Sequence, residues 1–552
     1  MRAIAAIIAL IKVQARGWMV AGGDAELKGL TMALGQELSA GLEEPMYDAN
    51  RWMRAQALAE AISGKLAQGA DAAGVAAMLD RLPRPRNPRE TVILHLLRAG
   101  LLRDGAAPTD AVTALTDDLN SATPRHNLAQ ADYILRGIVY AVWSNRMRLS
   151  DPGRHDLAMR RLWHTILEAY RTQMPARDPV PAGQRQRDLI VLMTGQFVQG
   201  MHQPSIDARE FAAKLVLRFG RRVVLINTAD GPVSAHYPYL GGFVSSADDD
   251  LVNRTQLVID RLPVPFIHLP PGFTDPAMAS GLRDRILKMR PDLILSFGTL
   301  SPVADLCRGL LDVVSIPFGT YLPMAEPAFV ALPRALVPSD GPALAVAGLG
   351  TDKVTSIDYC YTRPALGQAR TRADLGVPDD AILTLVIGIR LTQEVTPAFA
   401  AALDAAIQAE PRLFFLFVGT LDGYEGLVAG LPTLAGRSRA HGFDPDVIGL
   451  LADADLFLNP PRGGGGASAA YALSSGVPAF TLNAGDVATV VGPDFHLNGY
   501  GDFAPLARRF ADDADYRDMM RAKARTRFAA ISSRDVMLRQ ILDGVKALRA
   551  KG

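Results

Sequence analysis

The sequence of 552 residues lacks several features that would indicate a particular class of protein. It has two cysteines, Cys307 and Cys360, too few for a disulfide framework or a structural zinc site. Its 58 Lys and Arg residues are balanced by 57 Asp and Glu residues, so the net charge of +1 gives no indication of a broad basic surface for nucleic acid. No run of about eighteen uncharged apolar residues occurs, and we therefore predict no membrane-spanning helix.

Common cofactor signatures are also missing. The nine histidines include no His-x-x-x-His pair, so the sequence indicates no metal site. Neither G-x-G-x-x-G nor G-K-[ST] is present. At the N-terminus, Lys12 and Arg16 interrupt an apolar run, which favours an amphipathic first helix over a signal peptide. We expect no metal, no cofactor and a cytoplasmic location.

Residues 1–180 are rich in Ala, Leu, Arg and Glu, with apolar residues at helical spacing. Recurrent Gly and Pro breakers divide this region into about eight predicted helices, and residues 174–187 are interpreted as a linker. We interpret the tryptophans Trp52, Trp143 and Trp163 as core residues because their neighbours at helical spacing are apolar. The region is thus predicted to be an all-α domain.

After the linker, short β-rich runs alternate with helical stretches, which predicts parallel sheets covered by helices. The first set of predicted strands is 189–194, 222–227, 292–297 and 313–317, with helices at 206–218, 249–261, 276–290 and 302–311. The second set of strands is 382–389, 413–418, 439–442, 455–458 and 477–482. Two such sets predict two facing α/β domains with a cleft between them.

The most informative stretch is LNPPRGGGGASAAYALSSGVP, residues 458–478. It places four glycines between a predicted buried strand and a helix of small residues. Because glycine has no Cβ, the backbone at 463–466 can approach a ligand closely, and the start of a helix favours an anion. The stretch therefore predicts a phosphate-binding loop, although a flexible surface loop is the alternative.

This stretch resembles the donor-binding signature of glycosyltransferases with the two-domain GT-B architecture. The positions at which many retaining members carry two glutamates fall on Gly463 and Tyr471. The unit is more similar to the protein glycosyltransferases of the O-GlcNAc transferase and adhesin N-glucosyltransferase group. The resemblance spans residues 185–545 and is strongest over 380–480. It implies a domain division of 1–180 (helical), 185–370 (acceptor side), 371–530 (donor side) and 531–552 (C-terminal helix).

The resemblance also implies roles for residues of the donor domain. Arg390, after the strand 382–389, is similar to the arginine that neutralises the donor diphosphate in GT-B transferases. The lysine that follows this arginine in many members is replaced here by Glu394 or Val395, and Arg462 is a candidate for the second charge. The residues implied in donor binding are Gly419, His441, Gly442, Phe443, Asn459, Arg462, Gly463, Gly464, Gly465, Gly466, Ala467 and Ser468.

The loop after the first strand of the acceptor domain reads TGQFVQGMHQPS, residues 194–205. Its His202 suits a general base that removes a proton from the acceptor, and Ser205 is a candidate helix N-cap. The O-GlcNAc transferase group has a comparable histidine, with different spacing. Gln196, His236 and Tyr237 are further acceptor-side candidates.

We therefore expect a metal-independent glycosyltransferase that transfers a sugar from a nucleoside diphosphate, such as a UDP-sugar, to a protein acceptor such as a bacterial adhesin or flagellin. Two enzymes on the same fold are alternatives: a polysaccharide-building transferase and a sugar-nucleotide epimerase. A non-catalytic binding scaffold is the third alternative, because the two glutamates and the lysine are missing.

Overall fold

The computed structural model describes residues 23–43, 49–67, 71–82, 85, 87–198, 202–230, 248–362, 365 and 367–550. These residues form a helical region followed by two α/β units, each built on its own sheet. The predicted fold class, two Rossmann-like α/β units after an all-α region, is confirmed.

The helical region contains seven helices within its described part. They are α1 (Gly23–Glu43), α2 (Ala49–Ala67), α3 (Ala73–Arg81), α4 (Pro88–Leu101), α5 (Ala107–Leu119), α6 (Leu128–Trp143) and α7 (Pro152–Gln173). Helix α6 begins at a capping box, in which Asn127 accepts from the N–H of Gln130 and the Gln130 side chain accepts from the N–H of Asn127. Consecutive helices such as α4 and α5 pack against each other, as expected where the joining loops are short.

The helical region shares one hydrophobic core with the first α/β unit. Trp163 on α7 is buried in the same cluster as Val191 and Met193 of the first strand, which confirms its predicted place in the core. Its indole N–H donates to the Asp305 carboxylate at 2.8 Å. Arg160, one turn earlier, donates to two backbone carbonyls of the same α/β unit. The two regions are therefore one packed body.

The first α/β unit is an eight-stranded sheet with the strand order β3-β4-β2-β1-β5-β6-β7-β8. Its strands are β1 (Gln186–Thr194), β2 (Arg222–Asn227), β3 (Gln256–Ile259), β4 (Leu262–His268), β5 (Pro291–Phe297), β6 (Val313–Ile316), β7 (Phe329–Leu332) and β8 (Val354–Ser356). The helices are α8 (Gln203–Leu217), α9 (Pro276–Met289), α10 (Pro302–Asp305) and α11 (Asp340–Val346). Strand β1 pairs in parallel with β2 and β5, so the carboxyl ends of all three lie at one edge.

The predicted helix at 249–261 is wrong. A short 3-10 turn at Asp249–Leu251 leads into β3, which pairs antiparallel with β4. Asp260 and Arg261 have φ angles of 48° and 67°, the left-handed pair that closes a two-residue hairpin. Burial alternates along β3, with Leu257 inside and Val258 outside, which is the two-residue period of a strand.

The second α/β unit is a six-stranded parallel sheet with the order β11-β10-β9-β12-β13-β14. Its strands are β9 (Ile382–Ile387), β10 (Leu413–Val418), β11 (Ser438–Gly442), β12 (Leu456–Leu458), β13 (Ala479–Leu482) and β14 (His496–Leu497). The helices are α12 (Arg372–Leu375), α13 (Leu391–Glu394), α14 (Pro397–Ala409), α15 (Tyr424–Val428), α16 (Pro432–Gly436), α17 (Val447–Leu451), α18 (Gly466–Ser474), α19 (Gly485–Val491), α20 (Phe503–Asp512) and α21 (Ala514–Ala530).

The last helix, α22 (Arg534–Arg549), returns to the first α/β unit. Its apolar face, which includes Leu538 and Ile541, joins the core that covers β1 and β5. At its start Arg534 is fully buried and forms ion pairs with Asp207 and Glu210 of α8. The chain therefore passes between the two α/β units twice, and the two connections lie side by side, because the N–H of Tyr361 donates to the carbonyl of Ile531 at 2.7 Å.

Within the described residues, no helix is both long and apolar enough to cross a membrane.

Candidate active site

Glycines end three adjacent strands of the second sheet. Gly388 follows β9, Gly419 follows β10 and Gly442 ends β11. The N–H of Gly388 donates to the carbonyl of Val418 at 2.9 Å, and the N–H of Gly419 donates to the carbonyl of Gly442 at 2.7 Å. Gly419 has a φ of +125°, and a Cβ there would collide with the carbonyl of Gly388. Only glycine fits this position, where bare backbone lines the edge of the sheet.

The glycine loop lies beside this edge, between β12 and α18. Gly465 is the N-cap of α18 with a φ of +101°, and the first N–H groups of the helix, those of Gly466, Ala467 and Ser468, have no acceptor within the helix. Gly463 is exposed, and its carbonyl accepts from the N–H of Asp486 at 2.9 Å. The loop thus presents backbone and a helix start, the arrangement that favours an anion.

Arg462 does not present its charge to the cleft. Its guanidinium is buried beneath the loop, where it donates to Glu394 at 2.8 Å, to Asn459 at 2.7 Å and to the carbonyl of Ile387 at 2.9 Å. A Cβ on Gly465 would lie 2.5 Å from this guanidinium. Its donors therefore hold the loop against the sheet, and a contribution of its charge to phosphate binding stays a prediction.

Asn459 is also directed inward. Its amide oxygen accepts from Arg462, its amide N–H donates to Thr481 at 3.2 Å, and its backbone carbonyl accepts from Tyr500 at 2.9 Å. The side chain is 2% exposed. The side chain thus braces the turn that precedes the glycines, and a direct role of Asn459 in donor binding stays a prediction.

Arg390 lies between the sheet edge and the glycine loop. One of its terminal nitrogens pairs with Glu394 at 2.8 Å, and a Cβ built on Gly464 would lie 3.5 Å from the same nitrogen. Burial lowers the pKa of Arg390 from its usual value, partly offset by Glu394. Glu394, at 1% exposure, thus links the two arginines Arg390 and Arg462 and offsets part of their positive charge.

Two apolar side chains stand exposed at the same edge. Phe443 follows β11 and Ile389 follows β9, and each is 68% exposed. His441, at the end of β11, directs Nε2 toward the Asp444 carboxylate at 3.1 Å and is half-buried. Exposed apolar groups beside bare backbone suit a flat, partly apolar ligand such as a nucleobase.

His202 lies on the opposite side, at the N-cap position of α8. Its Nδ1 is 2.7 Å from the Ser205 hydroxyl, which also accepts from the N–H of Val198. Ser205 was expected to be the N-cap; the helix starts three residues earlier, and the buried Ser205 hydroxyl holds the imidazole and the preceding loop. Burial lowers the pKa of His202 to about 4, so the ring is neutral at pH 7 and able to accept a proton.

The structure gives less information on the remaining acceptor-side candidates, Gln196, His236 and Tyr237. Gln196 follows β1, and its carbonyl accepts from the Thr194 hydroxyl at 3.0 Å. His236 and Tyr237 lie in 231–247, outside the described residues. The structure thus places two candidates, His202 and Gln196, in the segment between β1 and α8.

Hydrogen bonds link the two sides of the cleft. The Tyr471 hydroxyl on α18 bonds Gln203 on α8, and Asp486 on α19 accepts from both the N–H and the hydroxyl of Thr320 at 2.8 and 3.0 Å. Burial raises the pKa of Asp486. These bonds bring the glycine-loop helix next to the residue that follows His202.

Among solved structures, the chain is similar to a point mutant of the O-GlcNAc transferase from Thermobaculum terrenum, with a TM-score of 0.56, 15% identity, and coverage of 94% of this chain and 97% of that one. That similarity extends over nearly the whole of both chains and identifies the arrangement of the two α/β units as GT-B. The chain has the GT-B fold.

Two lower similarities are to a glycosyltransferase from Rickettsia africae, with a TM-score of 0.47 and 15% identity, and to a UDP-N-acetylglucosamine 2-epimerase from Listeria monocytogenes, with a TM-score of 0.43 and 13% identity. They cover 66% of this chain each, and 100% and 98% of the other chains. Both scores are too low to bear on function. No protein-family model and no curated protein sequence matches the chain.

The GT-B cleft includes a residue that the sequence placed in the core. Trp143, the last residue of α6, is 44% exposed and lies against Arg390, so its assignment to the core is wrong. The apolar neighbours of Trp143 along the helix do not predict this exposure, because the tryptophan contacts Arg390 of the second α/β unit. The side chain of Trp52 lies outside the described residues.

Within the described residues, no group of three or more His, Cys, Asp or Glu side chains is arranged to hold a metal ion.

Proposed function

We propose that this GT-B protein is a glycosyltransferase that moves a sugar from a nucleoside diphosphate, a UDP-sugar, to a protein acceptor such as a bacterial adhesin or flagellin. We further propose that the transfer needs no metal ion and takes place in the cytoplasm. The cytoplasmic assignment is supported by Cys307 and Cys360, which are both buried and unpaired, as in proteins of reducing compartments.

The observation that carries the proposal is the convergence of Arg390 with the glycine loop. The Arg390 nitrogen lies 3.5 Å from the Cβ position of Gly464, beside the first turn of α18. A cation and unpaired N–H groups at one place suit the two phosphates of a donor. The site also lies at the carboxyl edge of a parallel sheet, which is where α/β proteins bind their ligands.

The reaction proposed for this site is a displacement at the anomeric carbon of the sugar. An acceptor O–H or N–H forms the new bond to that carbon, the bond from the carbon to the diphosphate oxygen breaks, and the nucleoside diphosphate leaves with the electron pair. Arg390 and the start of α18 stabilise the charge that develops on the leaving oxygen. His202, which its lowered pKa keeps neutral at pH 7, takes the acceptor proton.

Phe443 and Ile389 are proposed to flank the base of the donor. Both are exposed at the sheet edge, and Gly419 and Gly442, which carry no side chain, end the neighbouring strands. Burial of two such side chains on binding would add apolar contact to the polar contacts of the phosphates. His441 is held by Asp444, and its ring stays at the end of β11.

The proposal is tested by measuring binding and hydrolysis of a panel of nucleotide sugars. A true donor raises the melting temperature, because it binds only the folded state. Isothermal titration then gives its affinity, and hydrolysis or transfer is followed with and without EDTA. We expect one UDP-sugar to bind and turn over in EDTA, and Arg390→Ala to remove the activity.

Three outcomes would contradict parts of the proposal. Binding without turnover favours the non-catalytic scaffold, and conversion of the donor to an epimer favours the epimerase. Loss of activity in EDTA that returns with a divalent cation would disprove metal independence.

A further inference from the structure

Trp143 brings the helical region into contact with the donor side of the cleft. The Cζ atom of Arg390 lies 3.5 Å from the centroid of the Trp143 ring, well inside the range for a cation–π contact. The ring centroid of Tyr140, one turn earlier on α6, is 5.7 Å from that of Trp143. The Cζ atom of Arg146 lies 5.1 Å from the Tyr140 ring centroid. Two adjacent aromatic rings, Tyr140 and Trp143, therefore lie between two cations, Arg146 and Arg390.

Among the described residues, few other groups hold the Arg390 guanidinium. Its ion pair there is with Glu394, whose carboxylate is shared with Arg462. Its Nε is buried and has no hydrogen-bond partner among those residues. Because a planar guanidinium stacks well on an aromatic face, the indole can fix its orientation.

The same indole also reaches the glycine loop. A Cβ on Gly464 would lie 3.7 Å from the Trp143 indole nitrogen and 3.5 Å from the Arg390 nitrogen. The three groups thus surround one point at the start of α18. Trp143 itself is held by α6, which Arg136 ties to the first α/β unit through a bond to the carbonyl of Leu300 at 2.8 Å.

We propose that Trp143 is a positioning residue of the donor site: it holds the Arg390 guanidinium flat against its ring and aims it at the diphosphate beside Gly464. The inference rests on the proposed function, because it assigns a partner to the arginine that meets the donor phosphates. The helical region then contributes directly to donor binding, in addition to any contact with the acceptor.

The test is a double-mutant cycle on nucleoside diphosphate affinity in the full chain. Affinities for UDP, GDP and ADP are measured by titration calorimetry for wild type, Trp143→Ala, Arg390→Ala and the double variant. We expect Trp143→Ala to weaken binding of the preferred diphosphate roughly tenfold and to have no further effect once Arg390 is alanine. Trp143→Phe, which keeps an aromatic face, should restore much of the affinity.

A fluorescence readout separates positioning from general stability. The indole beside the phosphates should change its emission when the diphosphate binds, and this change should be lost in Trp143→Phe although that variant still binds. The melting temperature of each variant without ligand serves as the folding control.

The outcomes distinguish the two proposals. If wild type binds none of the three diphosphates, the proposed function fails and this inference fails with it. If wild type binds but Trp143→Ala binds equally well, or weakens binding as much in the Arg390→Ala background as in wild type, only the positioning role is overturned.

Discussion

The Tyr471 hydroxyl donates to the side-chain carbonyl oxygen of Gln203 at 3.0 Å. Tyr471 lies on α18, the helix that the glycine loop starts, and Gln203 directly follows His202. The amide N–H of Gln203 continues the chain of bonds to the buried Asp207 at 2.6 Å. The proposed phosphate site and the proposed base are therefore held at a fixed separation by side chains that take no part in the chemistry.

Replacing His202 should slow transfer and leave donor binding nearly unchanged, because His202 lies on the other side of the cleft from the glycine loop. Removal of a general base costs roughly a hundred- to ten-thousand-fold in rate. We expect such losses for His202→Ala and His202→Asn, measured as kcat with donor affinity from calorimetry. Asparagine is favourable at an N-cap, so His202→Asn also controls for stability of α8. If both variants transfer sugar at the wild-type rate, His202 is not the base and His236 is the next candidate.

The pH profile should report the lowered pKa of His202. Because burial holds this pKa at about 4, the acid limb of kcat/KM is expected near pH 4, below the 6.5 of an ordinary histidine. Protonation of His202 favours the unfolded chain between these values, so the contribution of His202 to stability is lost as the pH drops from 6.5 to 4 and is constant above that window. Buried His155, whose pKa is also lowered to about 4, adds to the loss of stability. An acid limb near pH 6.5 would contradict the assignment of His202.

Gly464→Val should block the proposed phosphate site without unfolding the protein. The φ of Gly464 is not in the left-handed region, and the new side chain would enter the space between Arg390 and Trp143. We expect at least tenfold weaker diphosphate binding by calorimetry with a near-normal melting temperature. Gly183→Val is the control, because open space also surrounds its Cβ position and it lies outside the loop. Equal affinity in the two variants would remove the loop from the phosphate site.

Gly465→Val is a poorer probe of the same loop. Its φ of +101° is unfavourable for valine, and its Cβ would meet the Arg462 guanidinium. We expect that variant to lose stability as well as affinity, so its effect on binding is not specific.

The sequence predicts the general architecture well, because hydrophobic periodicity is a local property. The strands 222–227 and 413–418 were predicted at the bounds observed, and the glycine loop lies at the carboxyl edge of a parallel sheet. The direction of a side chain depends on distant neighbours instead. Arg462 turns inward because Glu394, 68 positions away, and the Ile387 carbonyl accept its hydrogen bonds.

Trp143 shows the same limit. Its helical spacing is typical of a core residue. Its position against Arg390 depends on how the end of α6 meets the second α/β unit. The hairpin of β3 and β4 was missed for a local reason: its turn uses Asp260 and Arg261 in the left-handed region, without the glycine that usually signals such a turn.

A shortened chain starting at Arg185 should be poorly folded. Its first sheet would lose the helices that share the core around Val191 and Met193, and a large apolar surface would be exposed. We expect aggregation in size-exclusion chromatography, and diphosphate binding roughly tenfold weaker in any monomer, since Trp143 is absent. A monomeric shortened chain with full affinity would contradict both the shared core and the role of Trp143.

Arg534→Met should be strongly destabilising. It leaves the Asp207 carboxylate buried without its cation, a change that costs about 3–5 kcal/mol of unfolding free energy. Urea denaturation measures the loss, and Arg549→Met, whose ion pairs at the other end of α22 are partly exposed, should cost about 0–1 kcal/mol. Equal losses of unfolding free energy in the two variants would show that the buried ion pair contributes no more to stability than the partly exposed ones.

The return of α22 to the first unit also has a consequence for the order of folding. Arg534 and Asp207 are 327 positions apart, so the pair forms only after the whole segment between them has been synthesised. Until then the two carboxylates on α8 lack their cation, and β1 and β5 lack part of their apolar cover. Contacts of such long range are slow to form. The first α/β unit therefore has an incomplete core until α22 is made, and in this interval its exposed apolar surface would be open to a chaperone.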